Sequence, residues 1–243
     1  MSTETDYLAA NWAQIRRQVD DACRAAARDP ATVDILPVSK TFGPDVVRAA
    51  IGLGLHRFGE NKVQEIRDKS AALANDSIAW VMIGHLQTNK AKDVARLASE
   101  VQSLDRLELA VALHRQLQQA GRTIDVLVQV KTSPEPSKYG LPPEQLPAFL
   151  DALRGYDSLR VRGLMTLAIH SSEAAQVRDC FRRLRELRDH AITQGHDLPR
   201  LSMGMSGDFP LAIAEGATDV RIGTAIFGGR ATSGTNYRHE TGM

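Results

Sequence analysis

Lys40 closes a short apolar run, Val33-Asp34-Ile35-Leu36-Pro37-Val38-Ser39-Lys40, and the chemistry of this chain is organised around it. Ile35, Leu36 and Val38 have the composition of a buried strand, and Gly43-Pro44 follows as turn chemistry. At the carboxyl end of a buried parallel strand, a lysine lays its stem against apolar walls and points its amine into the mouth of the fold. Desolvation favours the neutral form of such an amine, and a neutral amine attacks a carbonyl carbon to give a Schiff base. The competing role is a lysine that caps a strand end by charge alone, since most lysines are surface residues.

A second set of residues has the composition of an anion site. Met205-Ser206-Gly207 leads into a short helical segment, and Arg221-Ile222-Gly223-Thr224 ends the last apolar run. Gly223 lets a phosphate approach the backbone, while Ser206 and Thr224 offer hydroxyl donors. Either loop alone reads as a turn; two with the same composition, after consecutive strands, read as a phosphate cradle. A Schiff-base lysine with such a cradle describes two kinds of site. One holds pyridoxal 5′-phosphate (PLP); the other belongs to an aldolase acting on a phosphorylated sugar. Arg221 bears on the choice. A guanidinium beside the ring nitrogen of PLP keeps that nitrogen unprotonated and weakens the ring as an electron sink, which suits holding the cofactor or restricted chemistry.

The elements that must position these residues alternate. An amphipathic helix over Tyr7–Arg28 carries Leu8, Trp12, Ile15, Val19 and Cys23 at helical spacing. Strands are expected at 33–40, 56–59, 79–84, 101–104, 124–130, 159–167, 201–204 and 219–223, each followed by a helical segment or a turn. Such alternation requires parallel strands joined by crossover helices. Eight units in a chain of 243 residues have the size of a (β/α)8 barrel. The open doubly wound sheet is the competitor, but the first strand ends without GxGxxG or GxxxxGK[ST]. The expectation is a single TIM barrel with an extra N-terminal helix (1–28) and a polar tail over 230–243. In a barrel the functional groups gather at the carboxyl ends of the strands.

The totals fit. A hydrophobic fraction of 43% with 24% charged residues and a formal net charge of +1 gives no global pull toward nucleic acid or acidic lipid. The polar start is no secretory signal and no apolar run is long enough for a membrane span, so a cytoplasmic setting is expected. Cys23 and Cys180 have no metal-ligand spacing and are read as free thiols; the histidines likewise suggest no metal.

The chain also resembles a known family. Val38-Ser39-Lys40-Thr41, the run from Phe58 to Glu65, the run from Ile83 to Lys90, Arg162-Gly163-Leu164-Met165, the run from Leu201 to Asp208, and the run from Val220 to Gly228 are similar to motifs of the YggS/PROSC-type PLP homeostasis proteins. They span nearly the whole chain, in order. The resemblance implies a barrel like the N-terminal domain of alanine racemases. It implies that Lys40 carries PLP as an aldimine, that Arg221 faces the ring nitrogen, and that Ser206, Gly223 and Thr224 hold the phosphate. Asn61 and Met165 would line the cofactor. Lys138 matches a lysine near the mouth, in a loop stiffened by Pro134-Glu135-Pro136, and could pass cofactor in or out. Racemases of this fold add a second domain bearing a tyrosine base, and nothing in this sequence matches that domain. Two-base racemisation then lacks half its machinery. The expected function is a PLP carrier with no catalytic residues, serving apo-enzymes as a monomer without nucleic acid or membrane partners; a racemase or lyase with restricted chemistry is the alternative. Glu60 is expected to pair with Lys62 or Lys40 rather than act as a general base, and His85 either to hydrogen-bond inside the mouth or to serve a structural role.

Overall fold

Short β-branched runs separated by amphipathic helices leave each strand able to pair only with parallel neighbours, and a computed structural model shows where that leads. It describes residues 3–135 and 138–228; the anticipated tail at 230–243 lies outside them. Eight parallel strands follow in the order β1-β8-β7-β6-β5-β4-β3-β2. They are β1 (Asp34–Pro37), β2 (Arg57–Glu60), β3 (Ala79–Met82), β4 (Ala98–Leu104), β5 (Ile124–Gln129), β6 (Leu159–Met165), β7 (Arg200–Met205) and β8 (Asp219–Ile222). The seam between β1 and β2 closes through one bridge, Val38 to Gly59, with the Ser39 N–H donating to the Gly59 carbonyl at 3.1 Å. The fold is a (β/α)8 TIM barrel.

Around it lie α1 (Thr3–Ala25), α2 (Pro44–Ile51), α3 (Val63–Ala72), α4 (Ala91–Leu97), α5 (Leu107–Gln119), α6 (Leu146–Leu153), α7 (Ala174–Thr193), α8 (Phe209–Ala214) and α9 (Thr224–Phe227). The N-terminal helix is the expected extra element. It buries Leu8, Ile15, Val19 and Cys23, and its Asn11 amide donates to the Ile226 carbonyl at 3.0 Å, tying it to α9 beside the eighth strand. Most element ends differ from expectation by a few residues; β1 stops at Pro37, so Lys40 follows the strand instead of closing it. β4 starts at Ala98, straight after the single helical stretch α4, because Ala98 and Val101 are wholly buried against the sheet. Thr224–Phe227, where the sequence reading placed no helix, is one helical turn that buries Ile226 and Phe227.

The interior of the barrel is layered. Near the amino ends of the strands, Arg57 and Arg200 meet Glu100 and Asp219 at 2.6–3.2 Å. From there Gln102 Nε2 donates to Glu100 Oε1 at 2.8 Å, and Ser202 Oγ donates to Gln102 Oε1 at 2.7 Å. The chain of bonds ends at Arg221, whose Nη1 donates to Ser202 Oγ at 2.6 Å. Buried polar groups are tolerated where each finds partners. Cys23 and Cys180 are both buried and unpaired. Among the described residues no helix is long and apolar enough to cross a membrane.

Candidate functional site

Six of the seven site residues expected from sequence meet on one cavity of about 480 Å³ at the carboxyl ends of the strands: Lys40, Asn61, Ser206, Arg221, Gly223 and Thr224. Lys138 is on the same wall, with His85, Gln129, Tyr139 and Leu167. That volume lies within the range of small-molecule sites, about 300–1,000 Å³. Met165 is not on this wall. It is wholly buried in the barrel, and Leu167, two residues further on, is where the cavity starts. A period of two keeps both on one face of the chain, one layer apart.

Lys40 sits at the corner of a β-turn. The Phe42 N–H donates to the Ser39 carbonyl at 3.1 Å, and Thr41, the third residue of that turn, has φ +70°. Type II turns ordinarily give this position to Gly or Asn. The Lys40 side chain is half-buried, and its amine makes no hydrogen bond or ion pair among the described residues.

The anion nest is made of backbone. The N–H groups of Ser206, Gly207, Gly223 and Thr224 donate to no acceptor among the described residues, and neither do the hydroxyls of Ser206 and Thr224. Unmatched donors converging on a cavity cost free energy unless water or a ligand takes them, and they suit a phosphate. Asp208 holds the Ser206-Gly207 turn from behind, its Oδ1 accepting from the Met205 N–H at 2.5 Å. Burial pushes its carboxyl up, against the pull of that bond and of Arg221.

Arg221 is 4% exposed and has no carboxylate within ion-pair distance among the described residues. Its Nη1 is on Ser202 Oγ, and its Nη2 donates to the Thr166 carbonyl at 2.7 Å. Burial pulls it down to about 10, against Asp208 and Asp219, so at neutral pH it stays a cation. Lys138 adds a third basic group, 3.7 Å from Glu135.

Gly84 and Asn61 show how tightly the wall is built. A Cβ at Gly84 would land on the Asn61 carbonyl oxygen, so only glycine lets the loops after β2 and β3 touch. His85 is stacked by Tyr139, with ring centroids 4.0 Å apart and planes at 17°, and its Nδ1 is 3.7 Å from Asp105.

Glu60 corrects the sequence expectation. It pairs with neither Lys62 nor Lys40 but with Lys69, 2.5 Å from Nζ, and accepts from Ser39 Oγ at 2.6 Å. Burial drives its carboxyl up to about 7 despite Lys69 and Ser39. Tyr139, the residue after Lys138, is on the cavity wall.

Among the described residues, a lysine amine without a partner, four N–H groups without acceptors and a buried arginine thus share one cavity. The family model for the alanine racemase N-terminal domain matches residues 4–231. A PLP homeostasis protein of Pseudomonas aeruginosa is 44% identical over 223 residues, covering 92% of this chain and 96% of the relative. The chain belongs to the pyridoxal phosphate homeostasis protein family. The family's relative in Aquifex aeolicus is 39% identical over 218 residues, with 89% and 96% covered. PipY of Synechococcus elongatus, solved with PLP bound, superposes with a TM-score of 0.82 at 35% identity, covering 91% of this chain and all of PipY.

Proposed function

We propose that this chain binds PLP covalently through Lys40 and maintains the cell's supply of the cofactor without substantial turnover of substrate. One observation carries the reading: an amine and four backbone donors, all unmatched among the described residues, share a cavity of cofactor size. The names of the relatives and the bound PLP in PipY support it.

The residues fit the group. The N–H groups of Ser206, Gly207, Gly223 and Thr224, with the two hydroxyls, supply donors for phosphate oxygens, and Lys40, Lys138 and Arg221 supply compensating charge. Asn61, in the loop fixed by Gly84, and Leu167 form side wall; Met165 supports the floor from the layer below. When bound, PLP supplies an aldehyde that a lysine amine holds covalently. Arg221, locked by Ser202 and Thr166, keeps a fixed positive charge at the barrel axis and discourages protonation of a ring nitrogen placed against it. That weakens the ring as an electron sink, which suits holding the cofactor or restricted chemistry.

The recipients are apo-enzymes that use PLP, and the chain acts as a cytoplasmic monomer built as one domain. Free buried thiols at Cys23 and Cys180 accord with a reducing compartment. The test is transfer. PLP-loaded protein, freed of excess cofactor, is expected to restore activity to an apo-transaminase. No restoration over the time in which free PLP restores it would contradict the carrier role.

The restricted-chemistry alternative has one observation in its favour: Tyr139 and His85, both able to move protons, face the cavity. Deuterium exchange at the α-carbon of amino acids separates the readings, and the carrier predicts none above the rate of free PLP.

A further inference from the structure

Both peptide units that flank Lys40 are tied to one cluster of charged side chains, of which Glu60 and Lys69 are buried. Before it, Ser39 Oγ donates to Glu60 Oε1 at 2.6 Å, and the Ser39 carbonyl accepts from Lys69 Nζ at 2.8 Å. After it, the Thr41 N–H donates to Glu65 Oε2 at 2.6 Å. Lys69 Nζ joins the two carboxylates, 2.5 Å from Glu60 Oε1 and 3.3 Å from Glu65 Oε2. Lys69 is 4% exposed and Glu60 is not exposed at all. None of the three lines the cavity.

Two physical facts make this arrangement more than packing. Thr41 is β-branched and holds φ +70°, a conformation that survives only where the surroundings over-determine it. A buried ion pair is a poor source of net stability, because desolvation cancels most of its attraction. Yet Glu60 keeps one oxygen, Oε2, buried without a partner, and the cluster's remaining bonds converge on the turn that carries Lys40.

We propose that Glu60, Lys69 and Glu65 are positioning residues for Lys40: the Lys69 ammonium gathers the two carboxylates that grip Ser39 and Thr41, and the gripped turn fixes the direction in which the Lys40 side chain enters the cavity. The proposal rests on the reading of Lys40 as the residue that holds PLP. It assigns to three residues outside the cavity control over how fast the amine captures an aldehyde, with no part in holding the phosphate.

The experiment uses the full chain and two probes. Covalent capture is timed by mixing with PLP, quenching with borohydride at intervals and weighing the Lys40 peptide. Phosphate recognition is measured with pyridoxine 5′-phosphate, which has an alcohol where PLP has the aldehyde and cannot bond to Lys40. Glu65 is the residue to change, because it is the most accessible of the three and lies in the first turn of α3. Glu65→Ala is expected to slow capture about tenfold while affinity for pyridoxine 5′-phosphate stays within about twofold. Glu65→Gln keeps an acceptor for the Thr41 N–H and restores the rate. Capture by Glu65→Ala at the wild-type rate, an equal loss of capture and affinity, or no rescue by Glu65→Gln would overturn the proposal. If wild-type protein itself yields no Lys40 adduct, the PLP reading fails first and takes the proposal with it. Should Glu65→Ala not fold, amide hydrogen exchange in the wild-type protein decides. The Thr41 N–H is expected to exchange at least about a hundredfold more slowly than an open loop amide, and exchange at the open rate overturns the clamp.

Discussion

Lys69 Nζ lies 2.5 Å from Glu60 Oε1, and the pair sits behind the Lys40 turn, off the cavity wall. The barrel therefore keeps two buried basic groups in two different states of compensation. Lys69 is matched by carboxylates, whereas Arg221 on the cavity wall is bonded, among the described residues, only to a hydroxyl and a carbonyl. The matched one donates to the Ser39 carbonyl; the other lines the cavity.

Glu60 should make stability depend on pH. Its folded carboxyl is raised from 4.5 to about 7 by burial, so the stabilisation tied to its protonated form is complete below 4.5 and lost as pH rises through about 7. The loss amounts to about 3 kcal/mol at most. Urea unfolding of wild type at pH 5 and pH 8 is expected to show that fall, and Glu60→Gln to show much less of it. Parallel pH dependences of the two proteins would contradict the assignment.

Arg221→Met tests the cavity cation without touching the turn. A buried guanidinium lacking a carboxylate partner contributes little net stability, so the variant is expected to unfold within about 2 kcal/mol of wild type. Its affinity for PLP should fall about tenfold or more, from loss of a charge that complements the phosphate and ring. Equilibrium dialysis reads this directly, and unchanged affinity would remove Arg221 from the site.

Gly84→Ala should be costly, because the new Cβ meets the Asn61 backbone, which cannot give way as a flexible side chain can. The expected loss is about 2–4 kcal/mol in urea unfolding, accompanied by weaker PLP binding as Asn61 is displaced. A variant as stable as wild type would mean that the two loops do not touch.

Thr41→Gly should separate stability from function. Glycine occupies φ +70° without strain, so the variant is expected to be as stable as wild type or up to about 1 kcal/mol more so. Covalent capture by Lys40 should nonetheless slow, since the turn is looser. Faster capture in a more stable protein would show that the strained turn hinders the lysine.

The fold and most of the cavity were legible because barrels place function at strand ends, and the strand ends could be read. Lys40, Ser206, Arg221, Gly223 and Thr224, read by that rule, and Asn61, given by the family resemblance, all line the cavity. Met165, which the family resemblance set beside the cofactor, is buried one layer below the cavity wall, a depth that apolar pattern does not mark. Gln129 escaped notice although a glutamine inside the apolar run Ile124–Val130 is itself a signal. Lys69 was the largest omission. Four residues after Glu65 it reads as an ordinary surface pair, but Val63, Ile66 and Lys69 share the buried stripe of α3, and a lysine on such a stripe must find carboxylates inside. Tyr139 could not be placed, because a loop of this composition has no period from which a direction can be read.

The central claim is that Lys40 is the amine that holds PLP, and one mass measurement addresses it. Protein loaded with PLP, reduced with borohydride and digested is expected to carry one cofactor per chain on the peptide containing Lys40, and Lys40→Ala protein to carry none there. A reduced adduct on Lys138 or another lysine in place of Lys40, or no adduct in wild type, would contradict the account.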